Sequence, residues 1–227
     1  MVKKQDKTEG GIVAVEEALS KTERFIERNQ KLLTIIIGVI VIAVLLFFGF
    51  KRFYMAPREQ EAKEQMFMAE RYFETDSINL ALNGDGMYPG FLDIIDDYSM
   101  TKGANLSKYY AGVCYLKMGN FEEAIDYLGS FKAKDQILGP MAKGAIGDAY
   151  MELNQTAKAA SYYLEAADLK DNEFSTPIFL MKAGWTYEML NDYKKALEIY
   201  ERIKIKYPAS TEAREIDKYI ARAKAKQ

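Results

Sequence analysis

The longest apolar stretch of the sequence runs from Leu32 to Phe50, which is 19 consecutive residues without a charged side chain. As a helix rising ~1.5 Å per residue it would be roughly 28 Å long, about the hydrocarbon thickness of a bilayer. Lys31 precedes the run, and Lys51 and Arg52 follow it, so both ends can reach the headgroups. The pattern predicts a transmembrane helix at 32–50. A cleaved signal peptide is the alternative, but the run is long for one and starts far into the chain.

Before this run, apolar or small side chains recur at alternating spacings of three and four residues, at Ile12, Val15, Leu19, Thr22 and Ile26. This spacing lines one face of a helix. An amphipathic helix is therefore expected within the segment 1–31. It could dock on a partner or the inner leaflet, or it could simply extend the transmembrane helix.

Charge and the lengths of the two flanking segments together favour one orientation of the predicted span. Basic residues are balanced within about 20 residues on either side of it, but Lys3, Lys4 and Lys7 add positive charge to the tail. The more basic side of a span usually stays inside the cell, and a short tail kept inside with a long exported domain is the usual outcome for a signal anchor. We therefore expect a cytoplasmic N-terminus and an extracytoplasmic C-terminal domain.

After the predicted span, three glycines mark an internal repeat. Gly112, Gly147 and Gly184 lie 35 and 37 residues apart, a period typical of helical hairpins. An aromatic residue follows each glycine by three positions and an alanine follows it by twelve, namely Tyr115, Tyr150 and Tyr187, then Ala124, Ala159 and Ala196. Two closely packed helices need a small residue where their backbones approach and a large one beside it. The register therefore predicts paired helices.

Turn residues fall in the same register. Gly119, Asn154 and Asn191 lie where the first helix of each copy should end in a left-handed conformation, which these residue types tolerate. Pro140 and Pro177 each lie seven residues before their glycine, where the first turn of a helix accepts proline.

These features resemble the tetratricopeptide repeat (TPR), whose pattern is a small residue, an aromatic three later, an alanine twelve later and a closing proline. Pro208 matches that proline in the third copy. Lys108, Lys143 and Leu180 depart from the pattern, because they occupy its early tryptophan position. The resemblance implies an all-α fold in which one N-terminal transmembrane helix is followed by a right-handed α-solenoid of TPR-like hairpins.

The register divides the chain after the span into hairpins. A degenerate first hairpin is expected at 58–103, with a glycine-rich loop at 83–90 interrupting its second helix. TPR hairpins are expected at 104–139, 140–176 and 177–209, and a capping helix at 210–227.

The first helices of stacked hairpins line the concave side of an array, so the register also predicts a protein-binding groove. The predicted groove residues are largely apolar and include five methionines, a side chain that adapts to irregular partners. They are Met66, Phe73, Leu106, Tyr109, Val113, Leu116, Met141, Met151, Ile178, Met181, Trp185 and Met189. Trp185 is expected to be the central anchor for a hydrophobic segment. Alternatively, the chain's own terminal helix or a second copy fills the groove.

Composition removes several functions. The 227-residue chain has no histidine and a single cysteine, Cys114, which excludes Ser/His and Cys/His catalysis and structural zinc sites. Residues 53–227 carry 22 Lys/Arg against 27 Asp/Glu, a mildly acidic balance that argues against nucleic acid as a partner. We expect no enzymatic activity, cofactor or metal, and other proteins as partners.

The layout as a whole is similar to the YfgM-like family of bacterial envelope proteins. The tail segment 18–29, which reads ALSKTERFIERN, looks like that family's approach to the membrane. The resemblance implies an inner-membrane protein whose periplasmic repeat domain works beside the secretion translocon with periplasmic chaperones and exported clients. A scaffold subunit of a cell-envelope or secretion machine, which holds one folded partner, is the alternative.

Overall fold

The computed structural model describes the backbone at 6–133 and 135–227, and the side chains at 23 and from 25 onward except at 134. The chain divides into two compact units, Met1–Pro57 and Arg58–Gln227.

The first unit contains one long helix, α1, at Asp6–Gly49, followed by a π-helical turn at Phe50–Met55. The most apolar 18-residue window of this region is long and apolar enough to cross a membrane, and none of that window is buried inside the structure. The backbone of α1 passes without a break from the predicted tail helix into the predicted span. The side chains of Ile12, Val15, Leu19 and Thr22 lie outside the described residues.

The second unit is a series of antiparallel helical hairpins. The first hairpin consists of α2 at Ala56–Glu74, α3 at Ile78–Asn83 and α4 at Phe91–Asp97. The helices of the next three hairpins, in order, are α5 at Lys102–Met118 and α6 at Phe121–Ser130, α7 at Leu138–Glu152 and α8 at Thr156–Leu169, and α9 at Thr176–Met189 and α10 at Tyr193–Lys206. A 3₁₀ turn at Glu212–Glu215 leads into the last helix, α11, at Ile216–Lys226.

The turns within hairpins two to four use the residues that the repeat register selects. Gly119 has φ 82°, Asn154 has φ 57° and Asn191 has φ 60°, which confirms the predicted left-handed conformations. One residue later, a backbone N–H donates to the carbonyl of the repeat tyrosine, at 2.9 Å for Tyr115, 2.8 Å for Tyr150 and 2.9 Å for Tyr187. The tyrosine backbone thus ends the helix while its side chain packs the hairpin.

Each repeat glycine contacts the side chain that lies sixteen residues later in the chain, on the second helix of the same hairpin. A Cβ on Gly147 would lie 2.6 Å from Cε1 of Tyr163, and one on Gly184 would overlap the ring of Tyr200. The rings of Tyr163 and Tyr200 are buried. The backbones of paired helices therefore approach closely where the aromatic ring crosses the glycine.

The glycine-rich insertion of the first hairpin is an ordered turn built around Asp85. The Asp85 carboxylate accepts hydrogen bonds from the Tyr72 hydroxyl at 2.7 Å and from the N–H groups of Met87 and Tyr88 at 2.9 and 2.7 Å. The Tyr72 hydroxyl bond is the main cause that lowers the Asp85 pKa. These bonds fasten the insertion to α2.

Candidate functional site

The predicted groove residues lie on the first helices of the hairpins, but they differ widely in exposure. Met141, Trp185 and Met189 are exposed, whereas Met66 and Met181 are buried. The remaining members are half-buried, namely Phe73, Leu106, Tyr109, Val113, Leu116, Met151 and Ile178. The predicted groove is therefore a set of separate openings with packed side chains between them.

The burial of Met66 and Met181 has a common geometric reason. Both lie three residues before the aligned small residue of their copy, and that position turns toward the following element of the array. The equivalent Gly144 shows the crowding directly, because a Cβ there would overlap the ring of Phe179 on α9. Side chains at this position pack between hairpins.

An apolar cleft surrounds Trp185. Ile178, Met181 and Trp185 of α9 line a cleft of about 410 Å³ together with Tyr219 of α11. The other lining residues are polar, namely Lys182, Thr211, Glu212, Arg214 and Glu215. The Trp185 side chain is 43% exposed. The cleft therefore combines an apolar floor with charged residues of both signs.

The terminal helix forms one wall of this cleft. The ring centroids of Trp185 and Tyr219 are 6.0 Å apart, and the Arg222 guanidinium lies 4.9 Å from the centroid of the Tyr219 ring. The terminal helix was one of the two alternative occupants expected for the groove. It packs beside the last repeat but leaves Trp185 accessible.

A second cleft, of about 480 Å³, lies between α5 and α7. It brings together two predicted groove residues, Leu116 and Met151, with Gly119 and Phe121. Charged side chains complete it, namely Lys117, Asp148 and Glu152. This opening is more polar than the Trp185 cleft.

The half-buried groove residues of the first two hairpins pack against the core. Tyr109, Val113 and Leu116 pack against the core cluster that includes Leu128 and Ile146. Phe73 and Leu106 pack against the core of the first hairpin, where the rings of Phe73 and Tyr110 meet edge-on at 5.2 Å. Burial raises the pKa of Tyr109, which keeps its hydroxyl neutral.

A polar trio joins the third and fourth hairpins. The Asp148 carboxylate of α7 accepts a hydrogen bond from the Tyr163 hydroxyl of α8 at 2.6 Å and binds Lys182 Nζ of α9 at 2.6 Å. Burial, together with the hydrogen bond to Asp148, raises the pKa of Tyr163. The neutral hydroxyl therefore remains a donor to the carboxylate.

The same arrangement recurs in altered form at the neighbouring boundaries. Glu188 accepts from the Tyr200 hydroxyl at 3.1 Å and binds Arg222 of α11 at 2.7 Å. Between the second and third hairpins, the positions equivalent to the polar trio hold Val113, Leu128 and Ala145, which belong to one apolar cluster. These links were not predicted from the sequence, although a tyrosine sixteen residues after the repeat glycine is a usable signal.

The single cysteine of the chain lies in the interior of the second hairpin. Cys114 is fully buried, and burial raises the pKa of its thiol to about 12, so the nucleophilic thiolate is disfavoured. Within the part of the chain that the structure describes, no group of three His, Cys, Asp or Glu side chains could hold a metal ion.

Comparison with protein families identifies the hairpins. A tetratricopeptide repeat model matches 107–135 and 179–210, and a second tetratricopeptide repeat model matches 142–173. Each of hairpins two to four thus contains a segment that matches a tetratricopeptide repeat model. The matched TPR segments contain the repeat glycine, tyrosine and alanine of every copy, namely Gly112, Tyr115 and Ala124, Gly147, Tyr150 and Ala159, and Gly184, Tyr187 and Ala196. They also include Pro208.

Two solved structures share the TPR fold. Both are of nearly identical TPR-like repeats of a Podosopora anserina kinesin light chain, one of them a single-residue variant. They superpose on 74% of this chain and 87% of their own, with a TM-score of 0.55 and sequence identities of 14% and 13%. No curated protein matches the sequence. TPR domains generally bind other proteins.

Proposed function

We propose that the chain is a membrane-anchored TPR scaffold that binds apolar segments of other proteins. The anchor is α1, whose apolar window is unburied and long enough for one bilayer crossing. The basic residues of the tail support a cytoplasmic N-terminus and a periplasmic TPR domain.

The observation that carries the binding proposal is the exposure of Trp185. Trp185 is 43% exposed in a cleft that it shares with Ile178, Met181 and Tyr219. A partner that covers this apolar surface would remove it from water, which favours binding. Tryptophan is among the residues that dominate binding energy at interfaces. The charged residues around the cleft, Lys182 and Glu215 among them, suit a segment with one apolar and one polar face.

The similarity to the YfgM-like family supplies the cellular setting of the proposal. A protein of this layout would sit in the bacterial inner membrane beside the secretion translocon. Exported chains that have not yet folded expose apolar segments, and the protein would bind them there together with periplasmic chaperones. The Trp185 cleft would hold such a segment briefly.

Crosslinking in cells tests the binding proposal. A photoreactive amino acid replaces Trp185 or Met151, and Ile205, which is 77% exposed on α10, serves as the control position. The proposal expects adducts with translocon subunits and with many different exported proteins from positions 185 and 151. Equal adduct patterns from position 205 would argue against a specific cleft.

A scaffold that holds one folded partner is the second candidate, and the cleft between α5 and α7 favours it. Lys117, Asp148 and Glu152 line that opening, and charged groups suit the patterned surface of a folded protein better than an apolar segment. A single stoichiometric adduct in the same crosslinking experiment would select this candidate.

Protease accessibility in spheroplasts tests the orientation. External protease should remove the TPR domain and leave a membrane-protected fragment that contains α1. Complete protection of the TPR domain in intact spheroplasts, with digestion after lysis, would overturn the periplasmic assignment.

A further inference from the structure

The Trp185 cleft and the second cleft are separated by a single ion pair. Lys182 lines the Trp185 cleft, and Asp148 lines the second cleft. The Lys182 ammonium lies 2.6 and 2.8 Å from the two carboxylate oxygens of Asp148, and the two side chains are 34% and 38% exposed. A segment that leaves one cleft across this ion pair therefore enters the other.

The spacing of the two clefts sets the length of a segment that could occupy both. The second cleft lies between α5 and α7, and the Trp185 cleft lies between α9 and α11. The axes of packed neighbouring helices are ~8–10 Å apart, so the centres of the two clefts are roughly 16–20 Å apart. An extended chain covers that distance in about five or six residues at ~3.3 Å per residue. One extended segment can thus place a side chain in each cleft.

The second cleft carries one negative charge that its own surroundings do not neutralise. Of its charged residues, Lys117 is paired with Asp76 at 2.7 Å, and Asp148 belongs to the ion pair described above. The third charged residue, Glu152, is exposed. Among the residues that the structure describes, no Lys or Arg forms an ion pair with Glu152. The complementary group on a partner is therefore a cation.

The rest of the second cleft suits the aliphatic part of a basic side chain. Leu116, Phe121 and Met151 are half-buried and give the cleft an apolar surface. Lys and Arg pack their aliphatic stems against such a surface while the charged head stays among polar groups. Asp148 and Glu152 are four residues apart on α7 and so lie on one face of the helix, where a charged head can approach both carboxylates.

The Trp185 cleft has no such requirement for charge. Its basic residues, Lys182 and Arg214, are matched by two acidic ones, Glu212 and Glu215. Recognition there depends on the apolar surface of the cleft, which an apolar side chain would cover. The two clefts therefore differ in the side chain that each selects.

We propose that the two clefts bind one extended segment of another protein, with an apolar side chain at Trp185 and a Lys or Arg side chain at Glu152, about five or six residues apart. This inference rests on the proposed function and deepens it by naming the charge and the spacing of the bound segment. An acidic side chain at the same position of the segment is repelled by Glu152.

Peptide binding to the full-length chain in phosphatidylcholine nanodiscs tests the charge requirement. The probes are short fluorescein-labelled glycine–serine peptides that carry one Phe and, about six residues from it, Arg, its neutral isostere citrulline, or Glu, in both sequence orders. Fluorescence polarisation gives the dissociation constants, with empty nanodiscs as the blank. In one of the two orders we expect the Arg peptide to bind roughly three- to fivefold more tightly than the citrulline peptide, and the Glu peptide to bind most weakly. Equal affinities of the Arg and citrulline peptides in both orders would overturn the proposal.

A pair of matched variants tests the assignment to Glu152. Glu152→Gln should remove the preference for Arg while leaving the affinity for the citrulline peptide unchanged. Glu198→Gln removes the same charge from an exposed position on α10 and should keep the preference. Because both side chains are exposed, circular dichroism should show unaltered folding. A preference that survives Glu152→Gln, or that is lost equally in Glu198→Gln, contradicts the proposal.

The spacing of the two side chains is tested separately. A peptide in which Arg directly follows or precedes Phe cannot reach both clefts, so it should bind no more tightly than its citrulline counterpart. An equal advantage of Arg at both spacings would show that the two clefts do not share one segment.

Two further comparisons distinguish this inference from the proposed function. Binding that is weakened by Trp185→Ala but is indifferent to the peptide's charge rejects only the inference. If Ala in place of Phe leaves peptide affinity unchanged and Trp185→Ala has no effect, the proposed function fails as well. If no peptide binds while crosslinking in cells yields one folded partner, the second candidate function is selected and the extended segment is rejected.

Discussion

Lys182 Nζ on α9 lies 2.6 Å from Asp148 Oδ1 on α7, so an ion pair joins the first helices of two consecutive hairpins. The same carboxylate accepts the hydroxyl of the buried Tyr163. Asp148 therefore serves two donors that belong to different hairpins, and its loss leaves both without their shared acceptor.

We expect Asp148→Ala to lower the free energy of unfolding by about 1–3 kcal/mol, because it leaves the buried Tyr163 hydroxyl unsatisfied. Urea unfolding followed by circular dichroism measures this change. Lys224→Ala is the matched control, since its pair with Glu201 is exposed and 3.3 Å long, and exposed pairs contribute about 0–1 kcal/mol. Equal effects of the two substitutions would contradict the proposed link.

Gly184→Ala should destabilise the fourth hairpin by about 1–3 kcal/mol, because the added Cβ overlaps the ring of the fully buried Tyr200. Thermal unfolding measures the effect. Gly129 near the end of α6 is the control, since a Cβ there meets nothing within 4 Å. Gly129→Ala should be neutral or stabilise the protein by roughly 0.5–1 kcal/mol through helix propensity.

Trp185 should report on occupancy of its cleft, because it is the only tryptophan of the chain. An amphipathic peptide that binds there should shift the emission to shorter wavelength and protect it from iodide quenching, since the ring is 43% exposed when the cleft is free. Replacing the opposite wall by Tyr219→Ala should weaken the shift, while Ile205→Ala should not. A shift that is insensitive to Tyr219 would place the peptide elsewhere.

Cys114 predicts a specific loss of stability in alkali. Burial raises its pKa in the folded chain from 9.0 to about 12, so the unfolded state loses the thiol proton first as pH rises. The protonated thiol contributes fully to the free energy of unfolding below pH 9, and this contribution is lost between pH 9 and about 12. At one pH unit above the ordinary thiol pKa, the free energy of unfolding should have fallen by about 1 kcal/mol. Cys114→Ala should flatten the decline in unfolding free energy across this range.

A control variant separates the effect of Cys114 from that of other groups that titrate in alkali. Met118→Ala, which removes an exposed side chain of the same helix and no titrating group, should retain the original slope. Tyr163 and Tyr200 also have raised pKa values, so both proteins should still lose stability above pH 10.0. A wild-type slope in Cys114→Ala would contradict the assigned cause.

The sequence was sufficient to predict the TPR hairpins because their packing requirements are local. Gly147, its tyrosine three residues later and Asn154 all serve contacts within one hairpin, and such contacts recur at fixed sequence distances. A repeat register therefore carries most of the information about helix pairing and turn position.

The openings along the predicted groove depend on contacts between hairpins, which the register does not specify. Met181 and Trp185 lie one helical turn apart on α9, yet only Trp185 is exposed, because position 181 turns toward the neighbouring elements. The contribution of Tyr219 from α11 depends on how the last helix docks. Neither relationship follows from the spacing of residues within a repeat.

The joints between hairpins differ in chemistry although they occupy the same register. The joint between hairpins two and three is apolar and consists of Val113, Leu128 and Ala145. The joint between hairpins three and four is ionic and consists of Asp148, Tyr163 and Lys182. Added salt screens charges and so weakens the ionic joint more than the apolar one. Cooling weakens hydrophobic stabilisation and so weakens the apolar joint more than the ionic one. We therefore expect hairpins three and four to separate first at high salt concentration, and hairpins two and three to separate first at low temperature.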